Sequence, residues 1–105
     1  MINEDHIISL KVKFFSTLKS LVGLEEVRIE MKSGNNILNL LDLLEKGYFN
    51  NIKENTLLFS DNGKMKLSYE VLVLLNDADI NVYDGLNTIL ENNDYVTLIS
   101  SIHGG

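Results

Sequence analysis

The chain has 105 residues, 45% of them apolar, carries a net charge of −6, and contains neither cysteine nor proline. That length and apolar share fit one domain with a real core and exclude a disordered chain, and no apolar run approaches the ~20 residues of a membrane span. Without cysteine there is no disulfide frame, thiol nucleophile or thiolate metal site, and only 9 scattered Lys and Arg residues argue against direct nucleic-acid binding.

Met1 to His6 show no basic patch leading into an apolar stretch, so no secretory signal is read and a cytoplasmic protein is expected. The acidic balance suits solubility and attraction to basic protein surfaces equally well. Ile8, Leu10, Val12 and Phe14 alternate with Ser9, Lys11 and Lys13, which predicts a half-buried strand. Ser16 to Gly23 reads as a short connection, with Gly23 as a turn residue. Val27, Ile29 and Met31 alternate with Arg28, Glu30 and Lys32 as a second strand with one wet face.

The period then changes. Ile37, Leu40, Leu41 and Leu44 fall at i, i+3, i+4 and i+7, the stripe of one helix. Ser33 to Asn36 supply capping residues before it, and Gly47 sits where a helix is expected to stop. Tyr48 to Tyr69 stays undecided, apart from the turn signal Asp61-Asn62-Gly63 between Leu57-Leu58-Phe59 and Met65, Leu67. Val71 to Leu75 is continuously apolar, as in a central strand. Asn76-Asp77 closes it, Asp84-Gly85 marks another turn, and Asn92-Asn93-Asp94 introduces a final strand from Tyr95 to Ile102.

The order β-β-α-β-β, with one helix stripe to bury, calls for an α+β fold: a mixed sheet curled around one main helix, the β-grasp arrangement. Its C-terminal strand runs through the middle of the sheet. The expected organisation is a single domain over residues 1–103 with a flexible Gly104-Gly105 tail. Glycine lacks Cβ, so such a tail can thread a narrow cleft and present the α-carboxylate of Gly105 as a reactive handle; the plain alternative is a frayed terminus.

Val71-Leu72-Val73-Leu74-Leu75-Asn76-Asp77-Ala78-Asp79 resembles the strand and N-D-x-D turn of the ubiquitin-related modifier family, the eukaryotic sulfur carriers of tRNA thiolation. Ser100-Ser101-Ile102-His103-Gly104-Gly105 is similar to that family's S-T-L-H-G-G ending. The likeness is close over residues 71–105 and one of pattern only in the first strand and helix. Ile80 stands where the family commonly has an aromatic residue, Ser68-Tyr69-Glu70 where an Arg-Pro pair often precedes the strand, and Ser101 where Thr is usual.

The resemblance implies a ubiquitin-like β-grasp protein that is a carrier and not itself an enzyme. An E1-like adenylyltransferase and sulfurtransferase would couple Gly105 to AMP with ATP and, with a persulfide donor, convert it to a thiocarboxylate. No cofactor is expected to be bound by the chain itself. The sulfur acceptor would be the wobble uridine of tRNA on a separate thiolase complex, and the same tail could be joined to target-protein lysines. The molybdopterin-synthase small subunit shares this chemistry and is the nearest rival; a non-covalent ubiquitin-like binding module is the rival of another class.

His103 is expected to serve, with Gly104, in recognition of the tail, because one histidine without an orienting partner is ill placed for acid–base work. His6 is the only other histidine, so no metal site is expected. If Val71, Val73 and Leu75 face the helix, then Leu72 and Leu74 face outward, and Val96 and Leu98 turn inward while Ile99 turns out. Phe15 can join Leu72, Leu74 and Ile99 in an exposed apolar cluster where the activating enzyme docks, unless the 48–69 segment covers it. Asp77 and Asp79 read as turn residues and not as a catalytic pair. Lys46, Lys53 and Lys64 could receive conjugates, with nothing local to select any of them.

Overall fold

The computed structural model describes residues 6–49 and 56–100. Its main sheet has the strand order β2-β1-β7-β5-β6, formed by β1 (Ile7–Phe15), β2 (Glu26–Lys32), β5 (Val71–Leu75), β6 (Ala78–Asp79) and β7 (Tyr95–Ser100). The last strand lies centrally, parallel to β1 and antiparallel to β5. Helix α2 (Ile37–Tyr48) crosses the inner face, as a β-grasp requires.

Strand period 2 and helix period 3.6 meet on that inner face. From β1, Leu10, Val12 and Phe14 are fully buried; from α2, so are Ile37, Leu40, Leu41 and Leu44. Val73, Val96 and Leu98 close the layer from β5 and β7. Burial of the four α2 side chains stabilises the fold by about 6–12 kcal/mol, at ~1.5–3 kcal/mol each. The helix begins with a reciprocal cap: Asn36 Oδ1 accepts from Asn39 N at 2.8 Å, and Asn39 Oδ1 accepts from Asn36 N at 2.9 Å.

Two features differ from the sequence reading, and a third settles a stretch it left undecided. The Ser16 to Gly23 connection is a helix, α1 (Ser16–Val22), with Leu18 in the core. Two turns are too short to display a stripe, and only Leu18 is fully inward. Gly23 is therefore a helix cap and not a strand-to-strand turn. It sits at φ 80° and donates its N–H to the Lys19 carbonyl at 2.9 Å.

Gly47 does not stop α2, which continues to Tyr48. The rings of Tyr48 and Phe49 pack 6.3 and 6.0 Å from that of Phe14, so burial of two aromatic residues carries the chain past the glycine. Within the undecided stretch, β3 (Leu58–Asp61) and β4 (Lys64–Leu67) form a separate hairpin. Asn62 and Gly63 both have positive φ, the signature of a two-residue type I′ turn. Leu57 and Leu58 enter the core.

Candidate functional site

Register places three of the expected docking residues in one line. Phe15 on β1 is paired with Ile99 on β7, and Ile99 with Leu72 on β5. Strand alternation turns all three away from α2. Phe15 and Leu72 are 41% and 40% exposed, and Ile99 between them is half-buried. Leu74 lies two residues further along the same face, half-buried and paired with Thr97.

The described part of the 48–69 segment does not cover this row. The Glu45 carboxylate of α2 accepts the backbone N–H groups of Thr56, Leu57 and Leu58 at 3.0, 2.7 and 3.1 Å, which ties the start of the hairpin to the helix. One aromatic pair was not foreseen: the Phe59 and Tyr69 rings pack at a 40° tilt with centroids 5.3 Å apart, and Tyr69 is 87% exposed just ahead of β5. Its only signal in the sequence was an aromatic residue beside a strand that already had its core face.

The row lies at the C-terminal end of the described part of β7. Ser100, the last described residue of β7, is buried and paired with Val71, and the expected continuation of the strand to Ile102 lies outside the described residues. His103, Gly104 and Gly105 lie outside the described residues, as do residues 50–55 with Lys53. From Ser100, five further residues reach at most about 18 Å when fully extended.

The opposite end of the sheet is stitched by the N-D-x-D turn. Asn76 and Asp77 both have positive φ, again the type I′ pattern, between paired Leu75 and Ala78. Asn76 Nδ2 donates to Asp94 Oδ1 at 2.9 Å, and Asn76 Oδ1 accepts from Tyr95 N at 2.9 Å. Asp79 accepts from Asn81 N at 2.8 Å, and Asp77 accepts a hydrogen bond from the Tyr95 hydroxyl. Both carboxylates thus serve local structure. Bonding to Asp77 raises the Tyr95 pKa above its ordinary value of 10.0. Among the described residues, no group of three His, Cys, Asp or Glu side chains could hold a metal ion.

Residues 9–105 match the sequence profile described as Urm1 (ubiquitin-related modifier). The chain is similar to ubiquitin-related modifier 1 homolog 2 of Arabidopsis thaliana, 36% identical over 84 residues that cover 80% of this chain and 83% of the other. It is 30% identical over 98 residues to a ubiquitin-related modifier 1 homolog of Dictyostelium discoideum, covering 93% of this chain and all of the other. The solution structure of Urm1 from Trypanosoma brucei superposes with a TM-score of 0.73 at 27% identity, covering 97% of this chain and 100% of that one.

Proposed function

Because the chain belongs to the ubiquitin-related modifier family, we propose that it carries sulfur on Gly105 and delivers it for 2-thiolation of tRNA wobble uridine, and that it also modifies target-protein lysines through the same residue. The observation that carries this reading is the extent of the family match, which runs to residue 105 and so includes His103-Gly104-Gly105. The central position of β7 supports it, since Ser100, the last described residue, adjoins the Phe15–Ile99–Leu72 row.

The chemistry follows from the poor electrophilicity of a carboxylate. Its charge repels nucleophiles and oxide is not a leaving group. Attack of a Gly105 carboxylate oxygen on the α-phosphorus of ATP gives an acyl-adenylate and releases pyrophosphate. The terminal sulfur of an enzyme persulfide attacks the acyl carbon, and AMP departs. A second thiol then cleaves the resulting acyl disulfide, leaving an enzyme disulfide and the thiocarboxylate. That sulfur is soft, anionic at neutral pH and nucleophilic, so the protein serves as a reusable group carrier. A lysine amine attacking the activated acyl carbon gives an isopeptide bond by the same logic.

In this scheme the apolar row docks the activating enzyme while Gly104 and His103 guide the terminus. A cell lacking the gene tests the reading. The full chain should restore wobble-uridine thiolation, and a chain shortened by Gly105 should not. Restoration by the shortened chain contradicts the proposal, and loss of molybdenum-enzyme activity in place of thiolation redirects it to a pterin acceptor.

A further inference from the structure

Strand β2 leaves the main sheet with one long open edge. It stands at the end of the strand order, and among the described residues no strand pairs with its far side. The other end of that sheet is β6, only two residues long. Sheet edges are commonly blunted by brevity, proline, bulges or charges that repel an incoming strand. β2 lacks the first three. Its pairing with β1 runs unbroken from Glu26 to Lys32, none of its residues has positive φ, and the chain contains no proline.

The hydrogen-bond alternation shows which groups face outward. At the two ends of the β1–β2 pair, Phe14 N donates to Glu25 O at 2.9 Å and Ser33 N donates to His6 O at 2.7 Å. Bonded pairs recur at every second residue of an antiparallel ladder, so Val27, Ile29 and Met31 bond to β1. The backbone N–H and C=O groups of Arg28 and Glu30 therefore point to the open side. Lys32 ends that run, because its carbonyl accepts from Asn35 Nδ2 at 2.8 Å.

Charge along this edge alternates in sign. Glu26, Arg28, Glu30 and Lys32 share the outer face, while Ile29 and Met31 are buried on the inner one. These four charges cancel, on a chain whose net charge is −6. Such an order matches itself when the strand is reversed. An antiparallel copy centred on Ile29 sets Arg28 against the partner's Glu30 and Glu30 against the partner's Arg28. Glu26 meets the partner's Lys32 in the same way, at each end.

That register also puts outward-facing backbone groups opposite one another, as a ladder requires, and brings Ile29 against its own copy on the inner face. A slip of one residue mismatches the backbone groups. A slip of two sets Arg28 against Arg28 or Glu30 against Glu30, which repel. Within one chain, Glu26 and Glu30 flank Arg28 about 7 Å along the strand, whereas a bonded cross-strand pair closes to about 5.5 Å between Cα atoms.

We propose that β2 pairs with β2 of a second copy of this chain, joining the two main sheets about a two-fold axis through Ile29. An arbitrary extended peptide would satisfy the backbone groups but not this order of charges. The added strand lies in the plane of the sheet, so the Phe15–Ile99–Leu72 row stays uncovered. One strand pair makes a small interface, and association is accordingly weak, with a Kd on the order of 0.1 mM.

Sedimentation equilibrium of the full chain, over a concentration series reaching about 1 mM, tests the pairing. The unaltered chain should pass from monomer to dimer, and the Arg28 and Glu30 amides should exchange more slowly as the dimer fills. Arg28→Glu and Glu30→Arg, each alone, set like charges opposite one another and should weaken association by roughly 10-fold or more. Both side chains are exposed, so Tm should hold. An equimolar mixture of the two variants re-creates the opposite-charge pairs and should dimerise as the unaltered chain does. A chain still monomeric at about 1 mM overturns the proposal. So does a dimer indifferent to either substitution, or a mixture that shows no recovery. Protection of the Arg28 and Glu30 amides by a foreign peptide, with the free chain monomeric, would assign the edge to another protein's strand and overturn self-pairing.

Discussion

Leu72 and Ile99 are cross-strand neighbours on the solvent side of β5 and β7, next to the paired Val71 and Ser100. An apolar pair at that position cannot help bury α2, since strand alternation points it the other way. It is apolar surface beside Ser100, the last described residue. Leu72→Glu is therefore expected to weaken binding of the activating enzyme by roughly 10- to 100-fold, the value of a buried leucine side chain. Thermal unfolding should be almost unchanged. A variant that loses stability in place of affinity would put Leu72 in the core.

Glu45 organises the start of the hairpin through three backbone donors. Replacing it with Ala leaves those N–H groups without their acceptor, at a cost of about 1–3 kcal/mol. The amides of Leu57 and Leu58 should exchange faster, while those of β1 and β7 change only with global stability. Unaltered exchange at Leu57 and Leu58 contradicts this role.

Asn76 combines a left-handed backbone, at φ 50°, with side-chain bonds to Asp94 and Tyr95. Asn76→Ala loses both, so a destabilisation of about 2–3 kcal/mol is expected. Asn76→Gly restores backbone freedom but not the bonds, so it should be milder by about 1 kcal/mol. Urea unfolding distinguishes the two contributions; equal losses would mean that the backbone conformation carries no cost.

The raised pKa of Tyr95 has a definite sign. Its neutral phenol donates to Asp77, and ionisation would set two negative charges together. The contribution to stability is complete below pH 10.0, the unfolded value, and is lost as pH rises through the folded pKa. Titration of the Tyr95 ring by NMR should give a midpoint above 10.0, which Asp77→Asn moves back toward it. The same midpoint in both proteins contradicts the assignment.

The main sheet and α2 were legible because their periods are clean: Ile8 to Phe14 alternate, and Ile37 to Leu44 follow a helical stripe. The outward direction of Leu72, Leu74 and Ile99 followed from the same rule. Helix α1 was hidden because its burial rests on Leu18 with little periodic support. The passage of α2 beyond Gly47 depended on Phe14, a tertiary partner more than thirty residues away in sequence. The pairing of Lys11 with Arg28 was hidden for a related reason. Alternation shows that Lys11 and Arg28 face outward, but only register makes them neighbours.

Sulfur delivery, the centre of the proposed function, depends on Gly105 being charged with sulfur, and intact-mass spectrometry reads that directly. Incubated with the activating enzyme, ATP and a persulfide donor, the full chain should gain the mass difference between oxygen and sulfur, and the gain should map to Gly105 and vanish when ATP is withheld. A chain that keeps its original mass while a known carrier reacts under the same conditions contradicts the account.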